Sequence, residues 1–131
     1  MKFLSSTALA TCLLLSAQFA HADITDNCEK FKTSYDKTYC VAKLFLESDS
    51  ELNTVYTDLR KPLKDDVKKA LTQTQRDWIK YRNETCETSG SIDVSCNYKV
   101  NRARAEYLRD RARECKTGNC DNAAIAKKSW E

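Results

Sequence analysis

The chain has 131 residues, and its 22 lysines and arginines nearly balance 19 aspartates and glutamates, so the formal net charge is only +3. Two glycines and one proline are too few for the many turns of an all-β sandwich. Lysine, glutamate, arginine, alanine and leucine are common instead. The composition therefore predicts an all-α fold, a small bundle of about four helices.

The first 22 residues have the pattern of a secretory signal peptide. Lys2 is followed by a largely apolar stretch over residues 3–15, and Ala20 and Ala22 stand where a signal peptidase reads small side chains. Cleavage is expected before Asp23. The segment is too short to cross a bilayer, and no later segment approaches the roughly 20 apolar residues that a span requires.

Removal of this segment changes the chemistry that the chain can perform. Cys12 and His21 are lost with it, which leaves six cysteines and no histidine. Lys2 is lost too, so the net charge falls to +2 (21 basic minus 19 acidic residues). An even number of cysteines in a small exported protein predicts disulfides and an oxidising compartment, namely the bacterial periplasm or the cell exterior.

The N-terminal half of the mature chain predicts two helices. Asp26 with Glu29 three residues later is typical of a helix start, and the apolar face that follows includes Phe31 and Tyr35 and ends near Leu46. Residues 48–51, Ser-Asp-Ser-Glu, give a second start signal. The second helix carries an apolar stripe at helical spacing, formed by Leu52, Val55, Tyr56 and Leu59.

Pro62 marks the next boundary, and two further helices are predicted after it. The third continues to Cys86 along the stripe Leu63, Val67, Leu71, Thr74, Trp78 and Tyr81. The fourth extends over about residues 95–114, with a buried edge made of Val100, Ala103, Tyr107, Leu108 and Ala112. Residues 23–115 would thus form the helical domain, and residues 116–131 a loosely ordered tail. The core is expected to centre on Trp78, Leu71, Val67, Leu52, Val55, Tyr56 and Tyr107.

The cysteines fit this layout best when each pairs with its neighbour in sequence. Cys86 and Cys96 flank the loop between the third and fourth helices, and Cys115 and Cys120 flank Gly118 and Asn119. Cys28 and Cys40 remain. In a straight helix their 12-residue separation would span about 18 Å, far beyond the roughly 6 Å between Cα atoms that a disulfide tolerates. This pair therefore requires a turn, which we expect around residues 33–37. Other pairings stay open, because the sequence cannot choose between them.

Residues 72–86 contain the most distinctive pattern in the chain. Gln75, Trp78 and Arg82 stand at i, i+3 and i+7, on one side of the third helix. One interpretation makes Trp78 a core residue bordered by Gln75 and Arg82. The aliphatic part of the Arg82 side chain can cover apolar surface while its guanidinium stays in water. The alternative is an aromatic and basic strip that binds carbohydrate or nucleic acid. The architectural interpretation is favoured.

A wider set of residues, at fixed spacings, covers most of the mature chain. The set is Leu52, Asn53, Tyr56, Gln75, Trp78, Arg82, Cys86, Cys96 and Arg102. Together these residues resemble the LprI-type lysozyme-inhibitor family over roughly residues 28–115. The resemblance implies a small exported helical protein, lipid-anchored in some members, and a protein partner such as lysozyme. The resemblance also implies a structural role for the members of this set from Leu52 to Arg82.

Catalysis, cofactor binding and nucleic-acid binding are disfavoured. Without histidine, and with all six cysteines paired, no general base and no zinc cluster is expected. A glycosidase needs only two carboxylates, but most of the 19 lie beside lysine or arginine on exposed helix faces. Residues 99–116 are rich in basic residues, yet Glu106 can pair with Arg102 or Arg109, and export argues against a nucleic-acid partner.

The remaining hypothesis is an exported binding protein that inhibits a cell-wall hydrolase. The loop over residues 87–95, closed by Cys86 and Cys96, would present Ile92, with Lys80, Arg82 or Lys99 nearby. The slightly basic charge does not suit capture of a strongly basic lysozyme by electrostatic steering. Two alternatives stay open: an immunity protein against a peptidoglycan-degrading interbacterial toxin, and a non-inhibitory structural or stress protein of the envelope. The oligomeric state is not predicted.

Overall fold

The computed structural model describes residues 24–131, so the predicted signal peptide, with Cys12 and His21, lies outside the described residues. A 3-10 helix over Ile24–Lys30 comes first. It is followed by α1 (Ser34–Arg60), α2 (Asp65–Cys86), β1 (Glu87–Thr88), β2 (Ser91–Ile92), α3 (Val94–Lys116) and α4 (Asn122–Ala126). The all-α fold predicted from composition is confirmed. None of the helices within residues 24–131 is both long enough and apolar enough to cross a membrane.

The three long helices form an up-down-up arrangement. Residues 61–64 join α1 to α2 and a two-stranded hairpin joins α2 to α3, so both connections are short and force antiparallel neighbours. As a result α1 and α3 run in the same direction, and they make the most extensive contact in the molecule. The short helix α4 then packs back against α2.

The first predicted helix boundary is wrong, because α1 is continuous through residues 48–51. The hydroxyl of Ser48 donates to the carbonyl of Phe45 at 2.8 Å, and that of Thr54 donates to Ser50 at 3.0 Å. These side chains bond to carbonyls of an unbroken helix instead of capping a new one. Ser48 is almost fully buried, which places the predicted start signal inside the α1 packing face.

The true break lies earlier, at residues 31–33, whereas the residues expected to turn, 33–37, are the cap and first turn of α1. Thr33 caps α1, since its hydroxyl accepts the amide proton of Asp36 at 3.0 Å. The bend brings Cys28 and Cys40 to a Cα separation of 5.5 Å, and they form the predicted disulfide. It also turns Phe31 and Tyr35 outward, so these residues are exposed and do not lie on the expected apolar face.

The core forms where the three long helices meet. The predicted residues Leu52, Val67, Leu71 and Trp78 are buried, while Val55, Tyr56 and Tyr107 are half-buried at its edge. Other buried apolar residues are Leu59, Leu63, Ala105, Leu108 and Ile125. Trp78 is only 2% exposed, so the tryptophan of the distinctive stretch is a core residue and cannot stack on a ligand.

The inner face of α3 is rotated relative to the predicted edge. Leu108 is buried as expected, but Ala103 is exposed, and Arg104 and Ala105 occupy the interior. The sequence prediction assigned only apolar residues to the buried edge and left Arg104 out, because arginine is rarely buried. Arg104 is accommodated because Gln75 on α2 accepts a hydrogen bond from its guanidinium and the ring of Trp130, after α4, lies against it.

The C-terminal residues also differ from the expected loose tail. Cys115 and Cys120 form the predicted disulfide around Gly118, whose φ of +86° is the left-handed conformation that glycine adopts readily. This turn returns the chain to the bundle, where Asp121 caps α4 and Ile125 is fully buried. The hydroxyl of Tyr107 donates to Ala124 at 2.6 Å. The helical unit therefore extends beyond residue 115.

Candidate functional site

The loop between α2 and α3 is a compact β-hairpin. Glu87 pairs with Ile92, and Thr88 pairs with Ser91, in an antiparallel register. The two residues between the strands, Ser89 and Gly90, have φ values of +46° and +83°. Positive φ at both central positions is the requirement of the type I′ turn, which matches the natural twist of a two-residue hairpin.

Both ends of the hairpin are fixed to the helices. Cys86 and Cys96 form the third predicted disulfide, with a Cα separation of 5.5 Å. The amide of Asp93 donates to the carbonyl of Cys86 at 2.9 Å, and the Asp93 carboxylate caps α3 by accepting from the amide of Cys96 at 2.9 Å. Residues 87–93 are nevertheless all exposed. The segment is thus rigidly anchored and fully presented to solvent.

Ile92 is the apolar residue of this hairpin, and 63% of its surface is exposed. Lys99 is exposed on α3, six residues after Asp93. Lys80 is exposed on α2, where its ammonium lies 3.7 Å from the carboxylate of Glu84. These three of the four residues proposed from the sequence to bind a partner are therefore at the surface.

Arg82 differs, because it lies two residues after Lys80 and so about 200° around the helix, on the inward side. Its guanidinium lies over the ring of Trp78, 5.3 Å from the centroid. It also lies 3.5 Å from a carboxylate oxygen of Asp49 and 3.4 Å from the side-chain oxygen of Asn101. Arg82 thus links α2 to α1 and α3. Contacts of this kind hold the bundle together and leave little of the guanidinium for a partner.

Arg104 is a second structural arginine, and sequence reasoning missed it. It is 2% exposed; its Nε donates to Gln75 at 3.2 Å and its Nη1 to Ser129 at 3.3 Å. Its guanidinium also lies 5.0 Å from the ring centroid of Trp130, which stacks on Tyr81. Burial lowers the pKa of Arg104 to about 10. The available signal was its spacing, four residues before Leu108 on the buried face of α3.

The basic residues of α3 are extensively paired with carboxylates. Arg102 donates to Glu106 at 2.9 Å, as its i,i+4 spacing predicted, and this bond raises the pKa of Arg102. Arg109 pairs with Glu51 on α1, and Arg113 with Asp110. This face therefore presents mixed charge, whereas a nucleic-acid site presents a continuous basic surface.

The pKa of Asp58 is shifted in the direction opposite to the one that a glycosidase acid requires. Lys61 donates a hydrogen bond to Asp58 and holds its pKa below the ordinary value of 3.8. A glycosidase needs a carboxylic acid whose pKa is raised. Among residues 24–131, the acidic and cysteine side chains form no cluster of three or more that could hold a metal ion.

Comparison with known proteins assigns the family. The family model described as lysozyme inhibitor LprI matches residues 25–124, which include all three long helices, the hairpin and α4 through Ala124. No curated protein and no solved structure matches the chain significantly. The matched region contains all six disulfide-bonded cysteines, from Cys28 to Cys120. The chain belongs to the LprI family of lysozyme inhibitors.

Proposed function

We propose that the mature protein is an exported inhibitor that binds a cell-wall hydrolase of the lysozyme type and blocks its substrate cleft with the hairpin of residues 87–93. The observation that carries the proposal is a disulfide-closed hairpin with all of its residues exposed and Ile92 at its base. The family supports inhibition as the class of activity. The target and the contact surface are our inference.

The hairpin has the physical properties of a preorganised inhibitory loop. Binding a flexible loop costs conformational entropy, and a loop already fixed by a disulfide and by backbone hydrogen bonds loses less on docking. Asp93 supplies two of these fixing bonds, one to each end of the loop. An exposed isoleucine can then bury its side chain in a pocket of the partner without distorting the bundle.

The charges near the hairpin suit a cleft that carries acidic groups. Lys99 is exposed, Lys80 is exposed beside the carboxylate of Glu84, and the mature chain has a net charge of +2. Arg82 is committed to Trp78 and Asp49, so we assign it to the architecture of the site. Because like charges slow encounter, a strongly basic lysozyme is a poorer match than a hydrolase with an acidic surface. An interbacterial peptidoglycan-degrading toxin with such a surface is the second candidate target.

The direct experiment measures binding and cell-wall lysis with the oxidised, exported protein. The panel contains c-, g- and i-type lysozymes and peptidoglycan amidases of interbacterial toxins, each tested by pull-down and then by turbidity of purified cell walls. Stoichiometric binding that stops lysis would establish inhibition and identify the target class. Binding to none of them would refute the proposal and leave a non-inhibitory envelope role.

The hairpin itself is tested with paired variants. The variant Ile92→Asp/Lys99→Glu should weaken binding at least about tenfold, because an apolar contact is lost and a charge is reversed. The matched control is Ile79→Asp/Lys69→Glu, which makes the same changes at exposed positions of α2 away from the hairpin. Equal affinity of the two variants would show that another surface makes the contact.

A further inference from the structure

The N-terminal half of α1 has an apolar outer face that is left exposed by the other elements of residues 24–131. Tyr35, Tyr39 and Leu46 are 77%, 65% and 66% exposed, and Ala42 lies between them in the same row. We call these four residues the outer stripe. The rings of Tyr35 and Tyr39 stack on each other, with centroids 6.4 Å apart.

The outer stripe lies opposite the face that α1 packs against the bundle. Successive helix residues are about 100° apart, which places Val41, Leu44 and Ser48 on the far side of the helix. Those residues are half-buried or buried. The helix is therefore apolar on two sides, whereas a surface helix needs only one apolar face to join a core. Within residues 24–131, the apolar surface of the inner face is at least partly buried, whereas that of the outer stripe remains exposed to solvent.

We propose that a second copy of this protein covers the outer stripe, with its own α1 packed antiparallel across a twofold axis. The stripe residues recur at intervals of four, three and four, which is the spacing of a two-helix seam. When the axis passes between residues 40 and 41, Tyr35 meets Leu46 of the second copy, and Tyr39 meets Ala42 of the second copy. Each large side chain then faces a smaller one, and both copies use the same surface.

The charges beside the stripe select this partner and this direction. Asp36 and Lys43 are exposed on the same edge of the outer stripe, seven residues apart. In the antiparallel pair, Asp36 of each copy lies opposite Lys43 of the other, so the edge carries two attractive pairs. A parallel pair would instead place this edge opposite the other edge of the stripe, where the uncharged Thr38 and Phe45 lie, so neither charge would find a partner. The edge is thus self-complementary in one orientation only.

The exposed area is adequate for a weak dimer. An aromatic side chain offers about 150–250 Å² for burial, so the exposed fractions of Tyr35, Tyr39 and Leu46 correspond to about 400 Å² per copy. Two copies would bury about 800 Å², an area in the range of weak, transient interfaces. The association is therefore concentration-dependent. Isologous contacts of this type are the commonest route to homodimers.

The experiment uses sedimentation equilibrium of the oxidised, exported protein over a range of concentrations. The wild type should dimerise, while Asp36→Lys alone and Lys43→Asp alone should each weaken dimerisation at least about tenfold, because each places like charges opposite one another. An equimolar mixture of the two variants should form heterodimers, since both pairs are then attractive again. A structural defect in either variant would not be repaired by mixing.

The control is Ile79→Asp, which adds a charge at an exposed isoleucine of α2 outside the stripe and should leave dimerisation unchanged. A wild type that stays monomeric at millimolar concentration would overturn the proposal. So would dimerisation that persists in both single variants, or a mixture that stays monomeric. The proposal does not rest on hydrolase inhibition, because the readout is mass alone.

Discussion

The burial of Ile125 leads to the sharpest stability prediction, because it tests whether the C-terminal residues belong to the folded unit. Ile125 is 0% exposed and packs in the core with α2 and α3. Ile125→Ala removes three carbon atoms, which at about 0.8 kcal/mol each gives about 2.4 kcal/mol, and a residual cavity adds to this loss. Since α4 lies near the chain end and can partly collapse onto the gap, we expect the free energy of unfolding to fall by about 2–3 kcal/mol.

The measurement is urea unfolding of the oxidised protein, followed by circular dichroism. The control is Ile79→Ala, the same substitution at a side chain that is 41% exposed on α2, where we expect a loss of about 1 kcal/mol or less. On heating, Ile125→Ala should lower the melting temperature by about 10 °C or more. If the two variants lose the same small free energy, residues 117–131 do not contribute to stability, and the reasoning from burial fails.

Three further predictions concern the disulfide and two charged groups. Cys86→Ser/Cys96→Ser should lower the free energy of unfolding, measured in urea, by about 2–4 kcal/mol. It should also weaken hydrolase inhibition by more than this loss of stability explains. Unchanged inhibition would contradict the preorganised hairpin. Lys61→Ala should raise the pKa of Asp58 towards its ordinary value of 3.8, because the variant lacks the hydrogen bond from Lys61 that lowers this pKa. The measurement is an NMR titration of Asp58. An unchanged titration midpoint would show that Lys61 is not the cause. Above pH 10, the folded protein should release the Arg104 proton before the unfolded chain does, because burial lowers the pKa of Arg104 in the folded state. Wild-type stability should therefore rise with pH relative to Arg104→Met, and a constant difference in chemical denaturation would contradict a lowered pKa.

The disulfide framework and much of the core could be predicted from sequence, because both follow from short-range spacing. The separation of Cys28 and Cys40 excludes a straight helix between them, and a pair of cysteines bracketing a short turn joins at little conformational cost. Leu71 and Trp78 are seven residues apart, which places them on the same face of a helix. Their burial could therefore be predicted from the sequence. The exposure of Ile92 in a loop between two helices was accessible in the same way.

Start signals within α1 were misleading, because a serine hydroxyl can cap a helix or bond to a carbonyl inside one. Ser48 does the latter, and its burial within the packing face of α1 decided the choice. Arg82 was placed correctly beside Trp78, but its ties to Asp49 and Asn101 depend on residues 33 and 19 positions away. Such distant partners leave no local pattern.

What the sequence by itself determined is the helical class and the position of the exposed loop, because these depend on composition and on neighbours within about ten residues. It favoured the pairing of neighbouring cysteines, and the structure decided among the pairings left open. Only the tertiary structure decided that Arg104 is buried, that Ile125 completes the core and that the outer stripe of α1 faces solvent. Each of these outcomes depends on which element packs against which. The buried arginine needs Gln75 and Trp130 from other parts of the chain, and the exposure of the stripe depends on which face of α1 the rest of the fold packs against.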